Sequence, residues 1–388
     1  MEALPAELTI DILSRLPVKT IIHCKLVCKK WRNLVSDSSF VNLHLSGSPT
    51  GLIIHHNPHI NMTDNWNVPY DPGMLKWVEI ENKVDHHLLH HNLTLDLNLA
   101  PVLQNSRILH MGSVNGLICL WQYSPKHDNT YICNPITREY MILPRQRYYR
   151  QGFAIIVYGF GVNSLTGEYK VVRTFQGNLL PNGDKPPLPS VIEAEVYTLG
   201  TGHWRSLGSV PYWINGLLRF HGPFLNNHCH WISDQEDASE KLCTFDLDKE
   251  TFQLFPSPPP EPLQKSRFHY QNLAVLKGCL CKLDTYDSEL MIWVMKEYGI
   301  KKSWQKEVVI KEGVSYDLEW PLWEPMSLIV GLKDGSILIV SESKLWAFHP
   351  RSERMEDTKM FEPDLSGMAY RPSFLKLQNF ESERVHMF

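Results

Sequence analysis

Five bulky residues, Tyr140, Trp204, Phe252, Trp304 and Met355, stand 64, 48, 52 and 51 residues apart, and each closes a similar phrase. The phrase is a short apolar run, a turn rich in Gly, Asn, Asp or Pro, and a return strand. It reads Tyr131-Ile-Cys-Asn-Pro-Ile-Thr-Arg-Glu-Tyr-Met-Ile-Leu-Pro144, and returns around Trp204, in Leu242-Cys-Thr-Phe-Asp-Leu-Asp-Lys-Glu-Thr-Phe-Gln-Leu-Phe-Pro256, and around Met355. A spacing near fifty belongs to four-stranded propeller blades, none of which can bury its apolar faces alone. Five blades fit between Arg107 and Met360, leaving unpaired strands at both ends. The run Ala369–Leu377 can supply one strand of a sixth blade, and residues 51–56, 75–80 and 87–97 the other three. Such a shared blade closes the ring and hides sheet edges that would otherwise invite aggregation. The chain is therefore expected to be mainly β, a six-bladed β-propeller-like domain over residues 47–388 preceded by a small α-helical module of three helices over residues 1–46.

The first module has a different period. Leu8, Ile12, Leu13 and Leu16 form one apolar stripe of a helix that opens near Pro5 and stops at Pro17. A second apolar set follows in Val18, Ile21, Ile22, Leu26, Val27, Trp31, Leu34 and Val35. Three short helices bury too little surface to be stable alone, so a partner is expected on them.

These residues carry a resemblance. Leu4-Pro5, Leu16-Pro17-Val18-Lys19, Val27-Cys28-Lys29-Lys30-Trp31 and a closing Phe40 resemble the F-box over the first 45 or so positions. Further on, Gly112-Ser-Val-Asn-Gly-Leu-Ile-Cys-Leu120, Cys133-Asn-Pro-Ile-Thr-Arg-Glu139, Gly159-Phe-Gly-Val-Asn-Ser-Leu-Thr-Gly-Glu-Tyr-Lys-Val-Val172 and Glu195-Val-Tyr-Thr-Leu-Gly-Thr-Gly-His-Trp-Arg205 look like the plant F-box-associated domain. The resemblance implies that Leu4, Pro5, Leu8, Ile12, Leu13, Leu16, Pro17, Val27, Cys28 and Trp31 bind a Skp-type adaptor, and through it cullin and RING subunits. It further implies that the larger domain captures a protein to be ubiquitinated. The activity expected is proximity without side-chain chemistry: a non-catalytic receptor raises the effective concentration of target lysines beside a charged conjugating enzyme.

Other chemistries find little in the residues. Glu2, Glu7 and Asp11 interrupt any secretory signal, and no apolar run approaches membrane-spanning length. Eight scattered cysteines suit reduced thiols in cytosol or nucleus, which makes the sequons at Asn61 and Asn92 chance matches. A net charge of −4 argues against a general nucleic-acid binder, and the cluster Arg145, Arg147, Arg150 is one short loop. His86 and His90 would be metal-spaced on a helix, but on the strand expected there they stand about 13 Å apart. His228/His230 and Cys279/Cys281 alternate, as buried blade residues do. No phosphate-cradling glycine loop or nucleophile elbow is present, so no metal or cofactor is expected. A propeller enzyme is the rival from another class, and a non-degradative scaffold a third reading. Lys25, Lys29 and Arg32 share a helix face that could steer toward an acidic adaptor. The blade connections hold Tyr148, Tyr149, Tyr212, Trp213, Trp320 and Trp323, aromatics of the type that anchor a protein target, and are the expected capture site.

Overall fold

A computed structural model describes residues 5–56, 74–78, 80, 94–98, 107–123, 128–145, 153–177, 191–214, 222–233, 240–260, 270–286, 289–311, 326–332, 334–341, 344–359, 365–380 and 384–387. The N-terminal module has four helices where three were expected: α1 (Ala6–Ser14), α2 (Val18–Val27), α3 (Lys29–Val35) and α4 (Ser38–Gly47). Proline sets two of the starts, with Pro5 and Pro17 at the N-caps of α1 and α2 and φ of −50° and −56°. Cys28, extended at φ −158°, breaks α2 from α3. The additional helix begins at Asp37, whose carboxylate accepts the Ser39 amide at 2.9 Å, an ordinary N-cap just before Phe40.

Six antiparallel sheets follow. Blade one is β4 (Arg107–Val114), β5 (Leu117–Tyr123), β6 (Asp128–Asn134) and β7 (Glu139–Ile142), and blade two is β8 (Phe153–Val162), β9 (Tyr169–Gly177), β10 (Val191–Thr198) and β11 (Trp204–Ser209). Blade three is β12 (Phe224–Leu225), β13 (His228–Ile232), β14 (Leu242–Asp246) and β15 (Thr251–Phe255). Blade four is β16 (Tyr270–Leu276), β17 (Cys279–Tyr286), β18 (Glu289–Met295) and β19 (Trp304–Lys311). Blade five is β20 (Ser327–Gly331), β21 (Ile337–Val340), β22 (Leu345–His349) and β23 (Arg354–Asp357). Blade six takes β1 (Gly51–His56), β2 (Met74–Val78) and β3 (Thr94–Asn98) from the N-terminal side and β24 (Leu365–Tyr370) from the C-terminal end. β24 lies beside β4, so blade six meets blade one and the ring closes.

The sixth blade is thus shared between the two ends as expected, with one correction. Its C-terminal strand is Leu365–Tyr370, and residues 371–377 leave the sheet. They run under blade one, and β25 (Val385–Met387) then pairs with β7 as a fifth strand that the sequence did not announce.

All five repeat markers fall in or at the start of the fourth strands, which explains their spacing. Two do the same work two blades apart: the Trp204 indole donates to the Pro144 carbonyl at 2.8 Å and Trp304 to the Pro256 carbonyl at 3.0 Å, each tying its blade to the exit of the one before. Two buried cations are paired, one within blade two and one between blades two and three. Arg173 lies 3.7 Å from the Trp204 ring centroid and bonds Glu195 at 3.0 Å, while Lys170 bonds Glu250 at 2.9 Å. All eight cysteines are free thiols; Cys119, Cys133, Cys229, Cys243 and Cys281 are buried, and burial pushes the Cys133, Cys243 and Cys281 thiols up to about 12.

Candidate functional site

α1 has two working faces. Thr9 and Leu13 turn inward, and Leu13 is 2% exposed in the module core with Val18, Ile21, Val35, Phe40 and Val41. Leu8 and Ile12, four residues apart on the outer face, are 53% and 50% exposed. Leu26 and Val27 at the end of α2 are 74% and 66% exposed, and Leu43 on α4 is exposed as well. These side chains are exposed large hydrophobics of the type a partner can cover.

Of the residues expected to hold the adaptor, Pro5, Leu8, Ile12, Pro17, Val27 and Cys28 are exposed, while Leu16 and Trp31 are half-buried and pack against the core. Leu13 is a correction: its side chain lies inside the module and supports the surface without forming it. Leu4 lies outside the described residues. The single apolar stripe read from the sequence is in fact split, because α1 is covered on one side only.

Lys25 is a second correction. Its ammonium sits 5.8 Å from the Phe374 ring centroid, at the junction with the larger domain, and partial burial together with the nearby Lys376 lowers its pKa. It is therefore not displayed to a partner with Lys29 and Arg32, which remain exposed.

That junction joins the module to the propeller through one continuous core. Leu13, Val18, Ile21, Phe40 and Val41 belong to the same cluster as Ile53, Trp77, Leu120, Tyr131, Ile136, Tyr370 and Phe374. Phe374 packs edge-on to Phe40 and His44, with ring centroids 5.9 and 5.1 Å away. The helical module and the propeller thus share one core cluster.

The topology also fixes which face of the ring carries it. Gly51, where the helices feed into β1, pairs with Tyr370, the last residue of β24. The module therefore sits at the end of the ring where first strands finish, beside the Asn115-Gly116 turn and the β6–β7 turn. The connections between blades lie at the other end. Of the expected capture residues on those connections, Tyr212 and Trp213 are half-buried, Tyr212 against the Cys229–Phe245 core and Trp213 against Ile192, Ala194 and Val210. Their rings thus cap blades two and three while keeping an exposed edge. Tyr148, Tyr149, Trp320 and Trp323 lie outside the described residues.

No group of three His, Cys, Asp or Glu side chains that could hold a metal occurs among the described residues. His55 is buried, and of the other histidines in the 55–91 neighbourhood His59, His86, His87, His90 and His91 lie outside the described residues. His230 is a fully satisfied core group: its Nδ1 donates to the Pro223 carbonyl at 3.1 Å and its Nε2 accepts from the Tyr298 hydroxyl at 2.8 Å. No helix among the described residues is long and apolar enough to cross a membrane.

Comparison with known proteins agrees with this architecture. Residues 74–361 match the F-box associated beta propeller domain family and residues 1–43 the F-box-like family. The chain belongs to the F-box proteins with an associated β-propeller domain. Similar relatives are the F-box protein At3g07870 of Arabidopsis thaliana, 29% identical and covering 92% of this chain and 87% of that protein, and the F-box protein CPR1 of the same plant, 25% identical over 93% and 85%. The F-box/kelch-repeat protein At3g23880, also from Arabidopsis thaliana, is 26% identical over 89% of each. Among solved structures, an oligogalacturonate lyase in complex with manganese aligns at a TM-score of 0.40 with 10% identity over 79% of this chain and 78% of that one, too loose a likeness to bear on activity. The pairing of an F-box with a propeller-type associated domain supports a substrate-adaptor role.

Two buried histidines give a testable pH dependence. Burial pushes His44 down to about 4 and His230 to about 3, from an ordinary value of 6.5. As pH falls below 6.5 the unfolded chain takes up protons that the native state refuses, so stability drops between pH 6.5 and pH 4; His44 alone contributes on the order of 3 kcal/mol of that loss by pH 4. Asp246 and Glu250, whose pKa values are lowered in the fold, add to the loss only as pH passes into the ordinary carboxylate range. Thermal melts from pH 7 to 5 should show a falling midpoint, with a shallower slope in His44→Leu. A flat profile would mean that the rings are hydrated.

Proposed function

We propose that this chain is the substrate-recognition subunit of a Skp-cullin-F-box ubiquitin ligase. The Skp-type adaptor covers Leu8, Ile12, Leu26 and Val27, and the propeller end remote from the helices receives the target. The observation that carries this reading is the exposed apolar surface on the F-box helices, at the opposite end of the ring from the blade connections. A receptor needs this arrangement, since adaptor and target must be held together without competing for one surface.

In this reading the protein supplies no nucleophile, base or metal. It acts by holding target lysines near the conjugating enzyme, in cytosol or nucleus. Tyr148, Tyr149, Tyr212, Trp213, Trp320 and Trp323 are the proposed target anchors, with Tyr212 and Trp213 offering only their exposed edges. The test is affinity purification of the full chain with neddylation and the proteasome blocked, compared with a Trp213→Ala bait. Proteins that accumulate on the wild-type bait and fall away from the variant, with adaptor unchanged, support the reading. Equal recovery on both baits places the target elsewhere, and absence of adaptor from both rejects ligase membership.

A further inference from the structure

The segment following β24 does more than close the ring. Residues 371–377 pass beneath blade one and are held there by several hydrogen bonds. The Asn134 side-chain amide donates to the Ser373 carbonyl at 3.0 Å and the Leu375 carbonyl at 2.7 Å. The buried Glu139 carboxylate accepts the Leu377 amide at 2.7 Å, and the Tyr370 hydroxyl donates to the Gly116 carbonyl at 3.1 Å. Gly116, at φ +82°, is packed so closely that an added Cβ would lie 2.3 Å from the Ser373 Cβ. These bonds leave the segment little freedom. Its one large apolar side chain between Tyr370 and Leu377 that is fully buried, Phe374 at 1% exposure, lies in the core shared by blade one and the helices and packs against Phe40, His44 and Lys25.

We infer that this C-terminal strap is a clasp, with Phe374 as the positioning residue that fixes the F-box on the propeller. Only residues 48–50 join α4 to β1, a tether that limits distance but does not set orientation. Within the shared core, the contact that reaches α4 from the opposite end of the chain supplies that orientation. Because blade one anchors the strap and the strap anchors α4, the adaptor-facing helices and the far end of the ring hold a fixed mutual direction. This deepens the proposed receptor role, on which its purpose rests, by naming what sets the geometry between adaptor and target. The placement of the F-box does not depend on that role.

The test uses the full chain and two variants, Phe374→Ala and Phe374→Leu, followed by hydrogen exchange of backbone amides and titration with a purified Skp-type adaptor. In Phe374→Ala, amides of α4 and of residues 371–380 should exchange at least about tenfold faster while blades two to four keep their protection, because the opening is local. Adaptor affinity should stay within about twofold, since Leu8, Ile12, Leu26 and Val27 are exposed and outside the core cluster that holds Phe374, and a change of that size is under 0.5 kcal/mol. Phe374→Leu, which keeps an apolar plug, should restore most of the protection. Unchanged exchange in α4, or a rise spread evenly over all six blades, would overturn the clasp. Failure of the wild-type chain to bind adaptor would instead overturn the receptor reading and leave the exchange result standing.

Discussion

Deleting residues 366–388 is expected to make the chain aggregate. The deletion removes all but one residue of β24, which pairs with β1 along its whole length from Gly51↔Tyr370 to His56↔Leu365. It takes away Met368, Tyr370, Phe374 and Leu377, each at most 4% exposed. At roughly 1.5–3 kcal/mol for each large apolar side chain, the lost burial is on the order of 10 kcal/mol. That is comparable to the entire stability of a typical domain, about 5–15 kcal/mol. The β1 edge and the β7 edge, the latter covered by β25, would both be left open to pairing with other chains. Light scattering after gel filtration should show large aggregates. A truncated chain that keeps the wild-type elution and melting temperature would contradict the shared sixth blade.

The second large effect is expected on α1. Leu8→Asp combined with Ile12→Asp places two charges on side chains that are already half in water, so folding should be nearly unaffected. The same charges would sit in the middle of an apolar contact with the adaptor, where central apolar anchors contribute about 2 kcal/mol or more each. Adaptor affinity should fall at least about a hundredfold, since each 1.4 kcal/mol is a factor of ten. Leu13→Asp provides the contrast. It buries a charge in the core shared with Phe40 and Val41, and should lower the melting temperature before any question of binding arises. If the Leu8/Ile12 double variant binds adaptor as well as wild type, the exposed face is not the docking surface.

How much of this was legible in the sequence can be read residue by residue. The markers Tyr140, Trp204, Phe252, Trp304 and Met355 announced the fourth strands because each repeat packs a bulky side chain, buried or half-buried, near the start of its outer strand, and that demand shows as a period. The contribution of both chain ends to blade six followed from counting strands against a ring that must close. What failed to show was anything resting on contacts between segments far apart in sequence. Leu13 and Leu8 look alike in a helical stripe, and only the packing of α1 onto α4 and α3 decides which is inside. Lys25 reads as a solvated basic residue until Phe374, almost 350 positions later, is found beneath it. α4 was hidden because its signal is an Asp37 cap and one turn of apolar residues, weaker than the proline-set starts of α1 and α2. The β25 strand, three residues long and separated from the last blade by the strap, leaves no periodic trace.

We propose that this chain joins a ligase through its F-box helices. The most direct test is gel filtration with light scattering of the full chain mixed with a Skp-type adaptor, and then with a cullin–RING pair added. An equimolar complex of chain and adaptor is expected, which takes up cullin and RING and does not form with the Leu8→Asp/Ile12→Asp variant. A folded wild-type chain that elutes alone in the presence of excess adaptor would contradict it.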